Sequence, residues 1–537
     1  VGSEMCIRDS YSSNTSTRQL GTSYAYNGMS KYTMMTLENM LFYNRDFGKD
    51  HTLGVTLLQS IQEDKTESNK IGVQDVTSDD LLYNDLASSS IIDKIGSNLT
   101  KWTMASFMGR VNYGFKGRYL FTGSVRYDGS SRLAEGHKWV AFPSVALAWR
   151  VSEEAFMKKQ NFLSNLKLRA GWGKTGNSSI DPYMTRGGLG LSTYVWDNGA
   201  SEVLGYAPKI MANSELTWET TKQWNVGVDF GFFNNRLSGT VDLYLQHTSD
   251  LLLERQIPVV SGFGSVLSNV GETKNKGIEI SLSSLNINTK SFQWTTDVMF
   301  YANKESIESL YNGKVDDIGN KWFIGHPINV HYDYEKIGIW QNTSEDLAEM
   351  EEFNKNGANF KPGDIKIWDN GDKKITEADR KILGSTSPKF IASMVNSISY
   401  KGFDFSIFLY ASVGAMLNNN IEYLNKPGRA NSIVIDYWTP TNPTNAYPRP
   451  SVDNASPAYV KSLQYEKADF IRVRNITLGY TLPEKLLKKI RARKIRVYLS
   501  ANNPFVITGF SGIDPEGARG YTAPSASTWM GGVNLSF

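Results

Sequence analysis

Apolar residues recur at every second position along much of this chain, and that period of two constrains its fold more than any other feature. From 139 to 151 the odd positions are Trp139, Ala141, Pro143, Val145, Leu147, Trp149 and Val151. The even positions are Val140, Phe142, Ser144, Ala146, Ala148 and Arg150. From 119 to 127 one face is Tyr119, Phe121, Gly123, Val125 and Tyr127, and the other is Leu120, Thr122, Ser124 and Arg126. Leu166, Leu168, Ala170 and Trp172 alternate with Lys167 and Arg169, and Trp224, Val226, Val228 and Phe230 with Asn225, Gly227 and Asp229. Successive side chains of a strand point to opposite faces, so alternation over this length argues half-buried β-strands.

The pattern marks about fifteen strands, at 30–44, 50–63, 103–115, 118–128, 139–152, 165–175, 222–232, 236–249, 274–287, 291–303, 388–400, 402–412, 467–482, 494–504 and 526–537. Short turns fall at 116–117, 233–235, 288–290 and 401–402. Long loops fall near 64–102, 129–138, 176–221, 250–273, 304–387, 413–466 and 505–525. With 45–49, 153–164 and 483–493 counted as short-side links, the two kinds alternate throughout. An up-and-down sheet with short turns at one end and long loops at the other has this layout, which is that of an outer-membrane barrel.

A soluble β-sandwich also alternates, and three features separate the two. The strands are about 10–14 residues long, against a usual mode of about five or six. Trp139 and Trp149 share a face, and their separation spans about 33 Å of strand. A tilt of about 45° projects that to roughly the 25 Å between the aromatic girdles of a barrel. The chain ends in Val533, Leu535 and Phe537, alternating with Asn534 and Ser536, which resembles the assembly signal of bacterial outer-membrane proteins. Composition agrees. A mean hydropathy of −0.36, with no apolar run near the ~18 residues of a membrane helix, suits strands that are apolar on one face only. The 57 Lys and Arg nearly cancel 54 Asp and Glu, which argues against a nucleic-acid partner.

The first ten residues, VGSEMCIRDS, begin with Val1 and hold the single cysteine, Cys6. They show no signal-peptide pattern and are expected to be non-native, leaving 11–537 as barrel. Without them the chain has no cysteine, which suits an oxidising compartment.

Several segments resemble the SusC/RagA family of TonB-dependent outer-membrane transporters. They are FMGRVNYGFKGRYLFTGSVRYDGSSRL (107–133), WVAFPSVALAWRVSEEAFM (139–157), LKLRAGWGKTGN (166–177), LTWETTKQWNVGVDFGFFNNRLSGTVDLY (216–244) and NVGETKNKGIEISL (269–282). GDIKIWDNGDKKITEADRKILGSTSPKF (363–390), YWTPTNPTNAYPR (437–449), FIRVRNITLGYTLPEKLLKKI (470–490) and IRVYLSANNPFVITGFSGIDPE (495–516) follow in order. The resemblance implies an all-β transmembrane antiparallel barrel of 22 strands, of which this chain would hold the C-terminal part, about 15, without the plug. It implies import of oligosaccharides, or oligopeptides, across the bacterial outer membrane. The implied partners are a SusD-like surface lipoprotein, the TonB–ExbB–ExbD machine acting through a missing N-terminal region, and the barrel assembly machinery. The polar faces (Arg126, Lys167, Arg169, Asp229, Asp242, Glu279 and Asp404) would line the lumen or contact the plug. The competing reading is a secreted, soluble β-rich adhesion or glycan-binding module.

No catalytic constellation is present, so an enzyme is not expected. There is no GxSxG elbow, HExxH or cysteine nucleophile. The GKT of GWGKTG lacks the leading glycine of a phosphate loop, that position being Leu168. His326, His331 and Glu335 have metal-like spacing without a helix to carry it. The 368–379 turn resembles an EF-hand-like calcium loop, with Asp369, Asn370, Asp372 and Asp379 as candidate ligands. It departs from that pattern at Trp368, where the family often has an acid, and at Lys373, where an EF-hand has glycine. Calcium is therefore a possible cofactor of this turn, and no other is expected. The basic, helix-like 483–494 segment is expected to cover the periplasmic end of the barrel. Trp196, Trp218, Trp322, Trp340 and Trp438 lie in long loops, where exposed rings can stack on sugars or peptide side chains. They are the candidate substrate-binding groups.

Overall fold

The computed structural model describes residues 2–11, 23–76, 80–81, 83–89, 91–196, 201–419, 435–450, 457–487, 492–516 and 525–537. Sixteen strands form one sheet: β1 Gly2–Tyr11, β2 Tyr24–Phe47, β3 His51–Gln74, β4 Ile91–Phe115, β5 Tyr119–Ser130, β6 Trp139–Arg150, β7 Leu163–Asn177 and β8 Glu219–Phe232, then β9 Leu237–Ser249, β10 Glu272–Asn288, β11 Phe292–Ser309, β12 Phe390–Tyr400, β13 Phe403–Val413, β14 Phe470–Thr481, β15 Lys494–Thr508 and β16 Thr528–Ser536. Each pairs with the next of the sixteen, as an up-and-down meander requires.

All fifteen expected strands are present. The sixteenth, β1, lies in the segment read as a non-native start, and pairs residue for residue with β2 from Gly2↔Thr33 to Tyr11↔Tyr24. The other departure is length. The expected loop at 64–102 is mostly strand, because β3 runs to Gln74 and β4 begins at Ile91. Backbone pairing continues there through polar residues such as Asp64↔Trp102, Lys65↔Lys101 and Thr66↔Thr100. A ladder in water needs no apolar face, so alternation stops before the strands do. At 483–494 only Glu484–Leu487 is helical among the described residues (488–491 lie outside them), and β15 already starts at Lys494.

The register fixes two faces. Tyr119, Phe121, Val125 and Tyr127 of β5 stand with Trp139, Val145 and Leu147 of β6 on a solvent-facing apolar side. Tyr127 stacks on Trp139 (centroids 5.0 Å apart) at one level, and Tyr119 on Trp149 (6.3 Å) at the other. These are the two aromatic levels expected from the spacing of the tryptophans. The opposite face is polar: Arg126 Nε donates to Asp128 (2.7 Å), and Ser124 and Ser144 share a hydrogen bond of 2.7 Å. In β16, Val533 and Leu535 share one face and pair with Val497 and Ile495 of β15.

The chain divides into two compact units: Val1–Trp149 with Ala170–Trp224 and Gln246–Glu272, and Arg150–Arg169 with Asn225–Leu245 and Thr273–Phe537. Each has its own buried loop core. In the first, Leu133, Phe142, Ile180, Leu216 and Trp218 pack together. In the second, Ile339, Ile365, Ile367 and Trp438 form one cluster, and Trp340, Met350, Phe353 and Phe360 another.

Candidate functional site

The described parts of the long connections carry packed cores of their own. In the first unit Trp218 packs edge-on to Phe142 (5.3 Å, 73°) and its Nε1 donates to Lys138 O (2.8 Å). In the second, helix α1 (Ser344–Lys355) starts at Thr343, whose side chain accepts from Asp346 N, and brings Met350 and Phe353 to Trp340. Phe353 and Phe360 lie 5.8 and 5.7 Å from the Trp340 ring. Lys366 Nζ sits 4.1 Å above that ring and donates to Asp346 (3.0 Å) and Glu349 (2.6 Å). Burial works to raise the Glu349 carboxyl, but its bonds to Lys366 and Lys373 outweigh burial and hold it below the usual carboxylate range. Trp438 Nε1 donates to Gln341 Oε1 (2.8 Å). Gly363, at φ +89°, lies beneath Trp438, and a Cβ there would come within 2.5 Å of the ring.

Three of the five candidate stacking tryptophans are therefore structural. Trp218, Trp340 and Trp438 are at most 6% exposed and present no ring face to a ligand. A long loop without a sheet behind it must supply its own core, and its largest rings do so. Trp322 is half-buried, its backbone paired with Asp317. Trp196 is exposed, edge-on to Tyr194 (4.6 Å), on the two-stranded ribbon Gly188–Trp196 and Ser201–Ile210.

The polar face carries the charges expected for a lumen, and most are paired. Arg169 donates to Asp229 (2.8 Å) and through both terminal nitrogens to Asp242 (2.9 and 2.8 Å). Lys167 adds a longer contact to Asp229 (3.5 Å). Arg496 holds Asp404 (2.8 Å). Asp242 and Glu279 line a groove of about 410 Å³ with Thr240, Ser281, Met299 and Tyr301. Beside it Tyr244 donates to Asn303 (3.2 Å), which donates to Asn275 (3.1 Å).

One cluster was not anticipated. Arg472, 4% exposed, reaches Asp514 (2.6 Å) and Glu516 (2.8 Å), and Arg474 also holds Glu516. The Arg472 bond ties the 509–516 loop to β14, and Asp514 also accepts from Ser525 N (2.9 Å). The period-two spacing of both pairs, Arg472 and Arg474, Asp514 and Glu516, was the available signal.

In the 368–379 turn, Asp369, Asp372 and Asp379 carry carboxylate oxygens within 4.8 Å of one another. Asp379, fully buried, accepts from Asn370 N (3.0 Å) and Thr376 N (2.6 Å). Asp369 Oδ2 accepts from Gly371 N (3.0 Å), while its Oδ1 is buried without a hydrogen-bond partner. Lys373 adopts φ +58°, the left-handed conformation an EF-hand gives its sixth-position glycine, and sends its ammonium to Glu349 (2.8 Å). The oxygen donors suit a hard cation, and the hydrogen bonds also fold the turn by themselves. His331 faces Met416 O (3.0 Å) and Glu335 binds Lys381, so neither joins a metal cluster.

A two-faced meander of sixteen antiparallel strands, with aromatic levels on one face and paired charges on the other, describes an outer-membrane barrel. Residues 6–503 match the family described as TonB dependent receptor-like, beta-barrel, and the chain belongs to it. It is 34% identical over 496 residues to TonB-dependent receptor P3 of Formosa agariphila, covering 89% of this chain and 48% of that protein. It is 34% identical over 462 residues to TonB-dependent receptor SusC of Bacteroides thetaiotaomicron, covering 82% and 44%. The solved structure of the RagAB peptide transporter superposes with a TM-score of 0.78 at 26% identity, over 96% of this chain and 56% of that one. The chain spans about half the length of the curated relatives it matches. As a member of this family it is an outer-membrane protein, and the soluble secreted module is set aside.

Proposed function

We propose that this chain is the wall and outer loops of a TonB-dependent importer of oligosaccharides, with oligopeptides as the second cargo class. Its charged inner face beneath folded loops carries this reading. The Asp242–Glu279 groove offers carboxylates beside Tyr301, a pairing that suits hydroxyl-rich or amide-rich cargo. Trp196 and Trp322 remain the candidate stacking rings. The proposed partners are a SusD-like lipoprotein over the loops, TonB–ExbB–ExbD supplying energy, and the barrel assembly machinery recognising Val533, Leu535 and Phe537. Support for the glycan class is the likeness to SusC, and for the peptide class the likeness to RagAB.

Deleting the gene and scoring growth on purified glycans against peptides as sole carbon source tests the reading. Loss of growth on a glycan, restored by the gene but not in a strain that also lacks the lipoprotein, is expected. Unchanged growth on every glycan and peptide tried contradicts it. Calcium in the 368–379 turn is a separate proposal that rests on the buried, unpartnered Asp369 Oδ1. Calorimetric titration of the receptor in detergent should give one calcium site that Asp372→Asn weakens, and no heat above the detergent blank contradicts it.

A further inference from the structure

Two lysines stand opposite each other just beyond the outer aromatic level of the sheet. Trp172 of β7 and Trp224 of β8 lie side by side (6.1 Å, 49°) on the face turned away from Arg169 and Asp229. Trp224 and Val226 on that face are more than half exposed, as lipid-facing groups are in the absence of lipid. Phe162, ten residues before Trp172, marks the other level with Phe232 (6.2 Å). Ten residues span about 33 Å of strand, the interval that also separates Trp139 from Trp149. Lys174 and Lys222 stand two residues from Trp172 and Trp224 on the same face, toward the long loops. That is about 7 Å further along the strands, at the outer boundary of the apolar band.

Lys222 is exposed and Lys174 half-buried, and neither ammonium has a hydrogen bond or ion pair among the described residues. Thr220 and Thr221 of β8 bond Ser249 and Thr248 of β9 (3.2 and 2.9 Å), which puts His247 beside Lys222 in the same row. His247 in turn contacts Glu272 (3.2 Å). The same unit repeats the arrangement with its charges balanced. Lys65 of β3 and Lys101 of β4 are opposed in register, on the face of Phe107, which stacks on Trp139 (6.3 Å). There Lys101 binds Glu63 (2.9 Å) and Lys65 binds Glu67 (2.7 Å). In the second unit Lys304 of β11 stands four residues beyond Phe300 on its face, and Lys276 of β10 is exposed at the same level. Asn275 and Asn303, the residues before them, bond across those two strands (3.1 Å).

A lysine at a membrane boundary can stretch its stem to water and needs no partner. Directly opposed ammoniums are different, because like charges across a strand pair repel. Glutamates relieve the Lys65–Lys101 pair, and nothing on the protein relieves Lys174 and Lys222. Opposed residues lie about 5 Å apart at Cβ, so both ammoniums can reach one phosphate. Beside the rings and just outside the hydrocarbon, the anions at hand are lipid headgroups. We propose that Lys174 and Lys222 hold the phosphate of a phosphorylated lipid of the outer leaflet, whose acyl chains lie along Trp224 and Val226. The inference rests on the membrane placement and is independent of the cargo.

The test is native mass spectrometry of the receptor in phosphatidylcholine nanodiscs doped with lipid A, or with the same lipid stripped of its phosphates. Wild type should retain lipid A and not the stripped form. Lys174→Gln with Lys222→Gln should lower the retained lipid A about tenfold or more, and Lys174→Arg with Lys222→Arg should keep it. Lys116→Gln, at the turn on the other side of the membrane, should leave it unchanged. Each variant should keep the heat-dependent gel shift of a folded barrel. Should the double glutamine variant misfold, Lys222→Gln alone, at an exposed position, should still lower retention several-fold. Equal retention of the two lipids by wild type, or retention unmoved by the glutamine changes, overturns the proposal. An equal loss in Lys116→Gln, or displacement of lipid A by millimolar inorganic phosphate, overturns it too.

Discussion

Gly129 lies directly across the β5–β6 pair from Trp139, whose ring covers it so closely that a Cβ would come within 2.4 Å. A strand glycine beneath an aromatic ring gives up side-chain packing to seat the ring flat. Gly129→Val should tilt Trp139 off Tyr127 and lower barrel stability by about 1–3 kcal/mol. Urea unfolding in detergent, followed by tryptophan fluorescence, checks this, and an unchanged midpoint contradicts it. At Asp514 burial works to raise the carboxyl, but the backbone N–H groups of Glu516 and Ser525 and the charge of Arg472 outweigh it and hold the group below its usual range. A depressed carboxyl contributes stability that is present above its unfolded value near 4 and lost as pH falls through its folded value. The 509–516 loop should therefore resist protease at neutral pH and open only below about pH 4. Asp514→Asn leaves Arg472 with Glu516 as its one carboxylate partner and should cost about 1–3 kcal/mol, read as protease cleavage in that loop at neutral pH.

Among elements, the strands were legible in the sequence and the loops were not. Alternation located β2 to β16 because lipid or protein on one side and a polar lumen on the other force opposite side-chain choices at successive positions. The outer parts of β2, β3 and β4 were missed because polar residues such as Asp64, Lys65 and Thr66 break the apolar alternation there. Their backbone pairing, from Glu63↔Thr103 to Ile71↔Ile95, leaves no apolar period behind. Hydrogen exchange should protect amides at 63–72 against exchange more strongly than those at 83–89, and equal rates would contradict the extended ladder. Which loop tryptophans are buried was not legible, for a different reason. A ring that packs inside a loop and a ring that faces a ligand have the same sequence surroundings, and only the positions of Phe353, Phe360 and Gln341 separate Trp340 and Trp438 from Trp196. The core around Trp340 depends on α1, so Thr343→Ala should cost about 1 kcal/mol by removing the helix cap. Its effect should be confined to proteolysis of the 344–355 region, with the barrel gel shift unchanged.

For the molecule as a whole, one physical rule accounts for the ordinary composition and the unusual fold. Each strand divides its residues between hydrocarbon and a charged inner face, so a mean hydropathy of −0.36 conceals a membrane protein that no helix-based criterion detects. The inner charges then pair across strands, as Arg169 does with Asp229 and Asp242, which fixes the wall beside the groove that Glu279 lines. The central claim is that the two faces of the sheet meet different solvents. Spin labels placed one at a time at 141–148 in β6 of the receptor, in a Cys6→Ser background and reconstituted in bilayers, test it most directly. Labels at 141, 143, 145 and 147 should collide with oxygen and be shielded from a water-soluble nickel complex, and those at 144, 146 and 148 the reverse. Equal accessibility at odd and even positions would contradict the account.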